Sequence, residues 1–371
     1  MVKSMKEIRI PQGMRDLIVE ECAKKRFAQK TIERVFQSFG YEEIMTPSIE
    51  YFDTYQQGFS EVDATEMYKF FDQDGEILTL REDMTVPICR VCASKYANSK
   101  PPFRFFYTSN VFKVRHVFAG KRGEVTDCGV ECIGLDEKSD IEILYMAIQV
   151  MEKLHFKNYQ IEIGNAKLFQ SAVDALQLDK ADQKRLAALI DQKSIVDLNC
   201  FVEALHLSKE AQDFFTQLPF LSGNDVFEKA KQLCFTEEMQ AVIDQLVSLY
   251  AALQTLGVAE HISFDLGKIP HLDYYTGIIF EGFIEESGTS VLSGGRYDNL
   301  MQKFDRDLPA CGFSMKLDYI LDALDNQNKE VVQLYYPKGK EIEAIQKANE
   351  IRKNKDVEMI PWNRDAWEVR Q

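Results

Sequence analysis

Residues 309–319 read PACGFSMKLDY, and this segment says more about the fold than any other stretch of the chain. Its small and apolar residues predict a buried strand, and the spacing that begins at Lys316 predicts a helix to about Leu324. Two related segments precede it, LDYYTG at 272–277 and SGGRYD at 293–298. Strand-like patterns flank both, so this part of the chain is predicted to be rich in β-structure.

Upstream, apolar spacing between Lys24 and Phe39 predicts a long helix that ends at Gly40, a residue suited to a helix C-cap. Runs of strands with flanking helices, rather than strict strand–helix alternation, predict an α+β fold with a mixed, mainly antiparallel sheet. The further patterns are strands at 42–49, 76–80, 103–112 and 159–164, and a helix at 139–154.

Composition also divides the chain. Between 167 and 256 the sequence changes to helical patterns rich in Ala, Leu, Gln, Lys and Asp, which predicts a helical insertion. The core is therefore expected to be split between 1–166 and 257–326. A short tail at 327–371 carries one strand pattern and one helix pattern, which we interpret as a possible βα remnant.

The overall composition limits the classes of function. The chain has 371 residues, 45% hydrophobic content and a net charge of -15, which argues against a broad surface for nucleic acid. Eight scattered cysteines in so large a chain are expected to be reduced thiols. With neither a long apolar run nor an apolar segment after the N-terminal charges, we expect a cytoplasmic protein with no membrane span.

Several segments in order along the chain resemble the histidyl-tRNA synthetases, which are class II aminoacyl-tRNA synthetases. The segments are PQGMRD at 11–16, TPSIE at 46–50, LREDMTVP at 80–87, the region 112–134 resembling motif 2, and 309–319 resembling motif 3. The resemblance implies a class II synthetase-like core, which pairs through its motif 1 helix and strand. A homodimer through residues 24–50 is therefore expected.

The residues that serve ATP in these synthetases are changed. The motif 2 arginine falls at Lys113, which keeps the charge but loses the bidentate fork of a guanidinium group. The arginine before the LDYY segment falls at Pro270, and the motif 3 arginine falls at Tyr319. In the motif 2 loop, Gly123 and Glu124 stand where synthetases carry arginine and glutamate. These degenerate positions imply weak or absent adenylate chemistry, because that reaction needs preorganised cations.

The tail points the same way, because the synthetases carry an anticodon-binding domain of about a hundred residues, whereas 47 residues follow Leu324. The chain is thus similar to the regulatory subunits of ATP phosphoribosyltransferase, which are synthetase paralogues. The resemblance implies a noncatalytic subunit without cofactor. It would act with a short catalytic subunit in the first step of histidine biosynthesis and mediate feedback inhibition by histidine. Binding of tRNA is not expected. The alternative is a divergent histidyl-tRNA synthetase or a related aminoacyl-adenylate-forming paralogue.

The amino-acid pocket of the family is better preserved than its ATP site. The resemblance places an ammonium site at Asp83, Thr85 and Asp127, and an imidazole site at Glu131 and the LDYY tyrosines. A ligand carboxylate would have to meet Lys113, Arg81 or Arg115. The candidate histidine-binding residues are Asp83, Thr85, Lys113, Asp127, Glu131, Tyr274 and Tyr275.

Two other patterns have a plainer interpretation. Cys89 and Cys92, with Cys128 and Cys132, could suggest a four-thiolate zinc site, but helical spacing among apolar neighbours favours core packing, and no metal is expected. The Gly-Gly pair within 293–298 could cradle a phosphate, or could simply form a tight turn.

Overall fold

A computed structural model describes residues 9–59, 65–114, 122–223, 225–269, 274–325 and 331–370. The chain forms two compact units, Met1–Leu324 and Asp325–Gln371. The strands of the first unit are β1 (Glu42–Glu43), β2 (Ile49–Tyr51), β3 (Lys69–Phe71), β4 (Ile77–Leu80), β5 (Phe103–Phe112), β6 (Glu124–Ile133), β7 (Tyr159–Asn165), β8 (Ile262–Phe264), β9 (Ile278–Ile284), β10 (Leu292–Arg296) and β11 (Ala310–Lys316).

Helices of the first unit lie on and around these strands. They are α1 (Val19–Ser38), α2 (Phe52–Gly58), α3 (Thr85–Ser94), α4 (Ser139–Lys153), α5 (Ala166–Ala175), α6 (Lys180–Asp191), α7 (Ile195–Ala204), α8 (Lys209–Gln217), α9 (Val226–Leu233), α10 (Glu237–Thr255) and α11 (Asp298–Gln302), with 3-10 turns at Leu218–Phe220, Ala259–His261, Leu317–Tyr319 and Leu321–Ala323.

The main sheet has eight strands in the order β1-β5-β6-β11-β10-β9-β7-β8. Among the described strands of this sheet, only the outermost pairs, β1 with β5 and β7 with β8, are parallel; the other pairs are antiparallel. This confirms the predicted α+β class with a mixed, mainly antiparallel sheet. The long β5–β6 ribbon and β11 lie side by side, so residues far apart in sequence share one face of the sheet.

Helix α1 forms where its apolar spacing predicted a helix, because Ile32, Val35 and Phe36 repeat on one side and are buried in the core. The chain leaves it at Gly40, whose φ of +79° is a left-handed conformation suited to glycine. The helix therefore uses its apolar face within its own chain.

Six helices, α5 to α10, follow one another between β7 and β8. Asn165, Asp179, Ser208 and Thr236 accept backbone N–H groups at four of their N-termini, as expected for capping residues. Their buried residues belong to the same apolar core as the sheet residues of β7. The domain division at 167–256 remains a prediction.

Two local predictions were wrong. The strand predicted at 42–49 is broken into β1 and β2 around Pro47, since proline cannot donate to a ladder. The helix predicted from Lys316 to Leu324 is instead a pair of 3-10 turns. The first turn is held by the Asp318 carboxylate, which accepts the backbone N–H of Thr126 on β6 at 2.7 Å.

The second unit contains β12 (Val331–Pro337), α12 (Glu341–Arg352), β13 (Asp356–Trp362) and β14 (Glu368–Arg370). Strand β12 is central, parallel to β13 and antiparallel to β14. The described part of the tail is thus a βαβ unit with one added strand. Among the described helices, none combines the length and apolar character required to cross a membrane.

Candidate functional site

Glu131 lies at the centre of the candidate site, on β6. It pairs in register with Gly312 of β11, and a Cβ added to Gly312 would lie 2.1 Å from Glu131 Oε2. Only glycine therefore leaves room for this carboxyl group on the sheet. The glycine at position 312 of β11 is explained by this close approach of the Glu131 carboxyl group.

Neighbouring hydroxyl groups hold both oxygens of Glu131, which is 2% exposed. The Thr85 hydroxyl donates to Oε1 at 2.8 Å, and the Tyr297 hydroxyl donates to Oε2. Burial raises the pKa of Glu131 to about 7, although the two hydrogen bonds oppose the rise. At neutral pH this carboxyl group can therefore accept or donate a proton.

Asp83 lies two residues before helix α3 begins at Thr85. Its Oδ1 accepts the backbone N–H of Val86 at 3.3 Å, whereas its Oδ2 is buried and has no hydrogen-bond partner among the described residues. Burial, followed by the negative charge of Glu82, raises the pKa of Asp83 to about 8. Such a carboxyl group is stabilised by a ligand that donates a hydrogen bond or brings a positive charge.

Asp127 lies on β6, four residues before Glu131. Ser314 donates to its Oδ2 at 3.5 Å, and its Oδ1 is buried without a partner among the described residues. Burial raises the pKa of Asp127 to about 6, while Lys316 and Lys113 lower it. The Lys113 ammonium also lowers the pKa of Asp83, so both acids lie near the same cation.

Four tyrosines enclose this carboxylate group. Tyr274 is buried, stacks on Phe59 with ring centroids 5.8 Å apart, and shares hydrogen bonds with Thr85 and Tyr275. Burial raises the pKa of each of these tyrosines, which keeps the hydroxyls protonated. Sequence reasoning gave no role to the other two, Tyr107 and Tyr297.

Tyr107 could have been found from strand register. It pairs with Gly129 of β6, where an added Cβ would lie 2.4 Å from the tyrosine hydroxyl. A glycine opposite a large residue on adjacent strands indicates that the side chain lies over the glycine. Tyr107 therefore faces the same pocket as the acids on β6.

The predicted ATP site contains an arginine that sequence reasoning passed over. The Arg122 guanidinium lies 5.7 Å from the ring centroid of Tyr319 and 3.4 Å from Asp318. Lys25 of α1 donates to the same Asp318 carboxylate at 3.1 Å. The cation beside Tyr319 is thus held by a carboxylate of its own chain. Pro270 lies outside the described residues.

Two further arginines make structural contacts. Arg81 donates to the backbone carbonyls of Asn110, Thr46 and Pro47, and is buried. Arg296 is buried against Asp140, at 2.5 Å. That Arg81 meets a ligand carboxylate stays a prediction, although its Nε and Nη1 groups already donate to backbone carbonyls. Arg115 lies outside the described residues.

The four cysteines considered for zinc lie in two different apolar clusters. Cys89 and Cys92 are buried in one, and Cys128 and Cys132 in the other.

The Gly-Gly pair at 293–298 lies within β10 rather than in a turn. An added Cβ at Gly295 would lie 2.7 Å from the Tyr275 ring, so this glycine makes room for the pocket.

The fold and site together define the class of protein. An eight-stranded, mainly antiparallel sheet carrying a buried acidic pocket on β6 and β11 is a class II aminoacyl-tRNA synthetase-like core. The family model described as "Histidyl-tRNA synthetase" matches residues 13–320.

Individual relatives indicate a narrower family than the family model does. It is 38% identical over 323 residues to an ATP phosphoribosyltransferase regulatory subunit of Clostridium botulinum, covering 86% of this chain and 76% of the relative. A Bacillus anthracis protein of the same name is 36% identical over 354 residues, covering 93% and 84%. The chain belongs to the family of ATP phosphoribosyltransferase regulatory subunits.

A solved structure agrees with this assignment. It is the crystal structure of an ATP phosphoribosyltransferase regulatory subunit/histidyl-tRNA synthetase from Bacillus halodurans. The TM-score is 0.86 at 30% sequence identity, covering 96% of this chain and 94% of that one.

Proposed function

We propose that this chain is a noncatalytic regulatory subunit that assembles with a short catalytic ATP phosphoribosyltransferase chain in the first step of histidine biosynthesis. The observation that carries the proposal is its 36–38% identity to proteins with that name over most of its length. The altered ATP site supports it, because Tyr319 replaces a cation and Arg122 is paired with Asp318.

The experiment is reconstitution of the two chains. The candidate catalytic chain should co-purify with this protein, and phosphoribosyl transfer to ATP should depend on both. Full activity of the catalytic chain alone, with no association, would contradict the proposal.

Histidine is the effector that the pocket fits best. Glu131 can accept an imidazole N–H, a tyrosine hydroxyl of Tyr274 or Tyr275 can bind the other ring nitrogen, and Asp83, Thr85 and Asp127 can accept an α-ammonium group. Lys113 is the described cation that we assign to the carboxylate of the ligand. Its Nζ atom lies 3.4 Å from Glu82 Oε1. Feedback inhibition would follow if histidine binding favours an inactive arrangement of the complex.

Three finer points belong to the same proposal. The chain acts as a homodimer through its class II core, does not bind tRNA, and works in the cytoplasm. The net charge of -15 opposes nucleic-acid binding, and the eight free cysteines suit a reducing compartment.

A further inference from the structure

The sheet of the second unit has one face that no described helix of that unit covers. Helix α12 packs on the opposite face, where Val332, Leu334 and Tyr336 of β12 are buried together with Ala344 and Ala348 of the helix. Strands β12 and β13 are parallel, and sheets with parallel strands are usually covered on both faces. The uncovered face is therefore expected to pack against a partner.

Aromatic and charged side chains share this face. Tyr335 of β12 packs against Trp362 of β13 with ring centroids 5.0 Å apart, and both side chains are partly exposed. The Arg370 guanidinium lies 4.4 Å from the Tyr335 ring centroid, and the Arg364 guanidinium lies 5.0 Å from that of Trp362. Tryptophan, tyrosine and arginine dominate the binding energy of many protein interfaces. The open face consists of these four residues together with Gln333, Glu358 and Glu368.

Charges on the open face change from acidic to basic across the sheet. Gln333 in the central strand pairs in register with Glu358 on one side and with Arg370 on the other. Gln333 Nε2 donates to Glu358 Oε2 at 2.9 Å, and the Tyr335 hydroxyl donates to Gln333 Oε1 at 2.9 Å, so these side chains lie together. A two-fold axis along β12 would place Glu358 of each copy over Arg370 of the other. The open face is thus complementary to itself.

The balance of charge favours a second copy over a strongly charged partner. Residues 325–371 contain nine acidic and nine basic residues, so two second units approach each other without net repulsion. The open face itself carries two arginines and two glutamates. Arg370 Nε contacts Glu368 of its own strand at 2.6 Å, but an exposed pair of this kind contributes little and leaves the guanidinium available.

We propose that the open face docks onto the open face of a second copy of this chain, with a two-fold axis along β12. Tyr335 and Trp362 form the apolar centre of the interface, and the two pairs of Glu358 with Arg370 lie at its rim and fix its register. Three short strands bury less area than a standard interface of about 1,600 Å², so the association is weak. It is separate from the pairing of first units and independent of the proposed regulatory role.

Sedimentation velocity of the purified chain at increasing concentration tests for this association. The average mass at low micromolar concentration, which includes any pairing of first units, is the baseline. The mass should rise above that baseline between about 10 and 200 µM, as expected of an interface below the standard size. A mass that stays at the baseline over this range overturns the proposal.

Two charge reversals test the two-fold arrangement. In a pair of identical copies, Glu358→Arg brings two positive charges together, and Arg370→Glu brings two negative charges together. Each variant alone should therefore associate at least about tenfold more weakly than the wild type. An equimolar mixture of the two variants should return to within about threefold of the wild type, because each copy supplies the charge that the other needs. A mixture that associates no better than the single variants refutes this arrangement.

Lys340→Glu and Glu350→Arg are the matched controls, because they make the same changes of charge at exposed residues outside the open face. Alone or mixed, they should change the association by less than about threefold. Effects equal to those of the open-face variants would mean a diffuse effect of charge and would overturn the contact. Thermal melting checks that each variant is folded, and recovery in the mixture shows it independently. Reconstitution with the catalytic chain tests the regulatory role separately, so the two can fail independently.

Discussion

At the scale of single residues, the pocket is dominated by acids whose pKa values are raised by burial. Glu131 accepts from the hydroxyls of Thr85 and Tyr297, whereas Asp83 and Asp127 each keep one oxygen that has no donor in the part of the chain that the structure describes. A buried acid without a donor is destabilising, and a bound ligand that supplied a donor would remove that cost.

Replacing Glu131 tests the imidazole contact. Glu131→Ala should weaken histidine binding by roughly 1 to 3 kcal/mol, because an imidazole N–H would be left without its acceptor in a shielded site. Feedback inhibition of the reconstituted complex should then need correspondingly more histidine. Calorimetric titration and inhibition curves measure both effects. Unchanged binding would place histidine outside this pocket, and Glu137→Ala, at an exposed residue, is the control.

The same residue predicts a pH dependence of stability. Its pKa is raised from 4.5 to about 7 on folding, so the folded state holds the proton more tightly than the unfolded state. Its contribution to stability is then complete below about pH 4.5 and is lost as pH rises through 7. Glu131→Gln cannot titrate, so its stability relative to wild type should rise between pH 5 and 8, by on the order of 2 kcal/mol. Urea denaturation across this range measures the difference, and parallel curves would contradict it.

At the scale of elements, Asp318 connects three pieces of the first unit. Its carboxylate accepts from Lys25 on α1 and from the backbone of Thr126 on β6, and it pairs with Arg122 before β6. This buried junction explains why the chain after β11 forms 3-10 turns instead of a helix. It also pairs with the described arginine beside Tyr319.

Removing this junction should destabilise the first unit. Asp318→Ala leaves the Thr126 N–H without an acceptor and two cations without their partner, at a cost of about 2 kcal/mol or more. Asp322→Ala, at an exposed residue in the next turn, should change the free energy of unfolding by less than about 0.5 kcal/mol. Urea denaturation of both variants gives the comparison, and equal small effects would show that the junction contributes little.

At the scale of the whole molecule, apolar side chains are exposed on a small sheet with the strand order β2-β4-β3 and in the loop just before β2. Met45 and Phe71 are 75% and 73% exposed, and Tyr51 and Ile77 are also exposed. The apolar face of α1 is buried in its own chain, so the predicted dimer surface depends on the strands after α1 rather than on the helix itself. Exposed apolar residues gathered in one region are typical of an interface.

Light scattering tests the dimer. The wild type should be at least a dimer at micromolar concentration, and Phe71→Asp should shift it towards monomer, since a charge cannot be buried there without a partner. Ile342→Asp, at a residue of the second unit that is 75% exposed, should leave the dimer intact. A monomeric wild type, or equal effects of both substitutions, would refute the assignment of this surface.

Adenylate formation distinguishes the regulatory subunit from a divergent synthetase. Histidine-dependent ATP–pyrophosphate exchange should be near background, because loss of one preorganised charged donor can cost on the order of 100-fold, and more than one is missing. A histidyl-tRNA synthetase assayed in parallel is the positive control. Robust exchange by the purified chain would favour the synthetase alternative.

Local sequence patterns were sufficient to predict the helices and strands whose apolar residues repeat regularly over a long segment. Helices α1 and α4 and strands β5 and β7 lie where the spacing of apolar residues predicted them, because one buried face imposes that spacing. The family motifs also indicated the class II core, because they occur in the expected order along the sequence.

Only the tertiary structure decided which side chains, distant in sequence, form hydrogen bonds or pack against one another. The turn at Asp318, the placement of Tyr107 over Gly129 and the use of Arg81 by backbone carbonyls all depend on partners tens to hundreds of residues away. That one oxygen each of Asp83 and Asp127 lacks a donor within the described ranges is likewise visible only in the folded chain. Apolar periodicity is a local property of a helix or strand, whereas hydrogen bonding of a buried polar group depends on what the whole fold brings beside it.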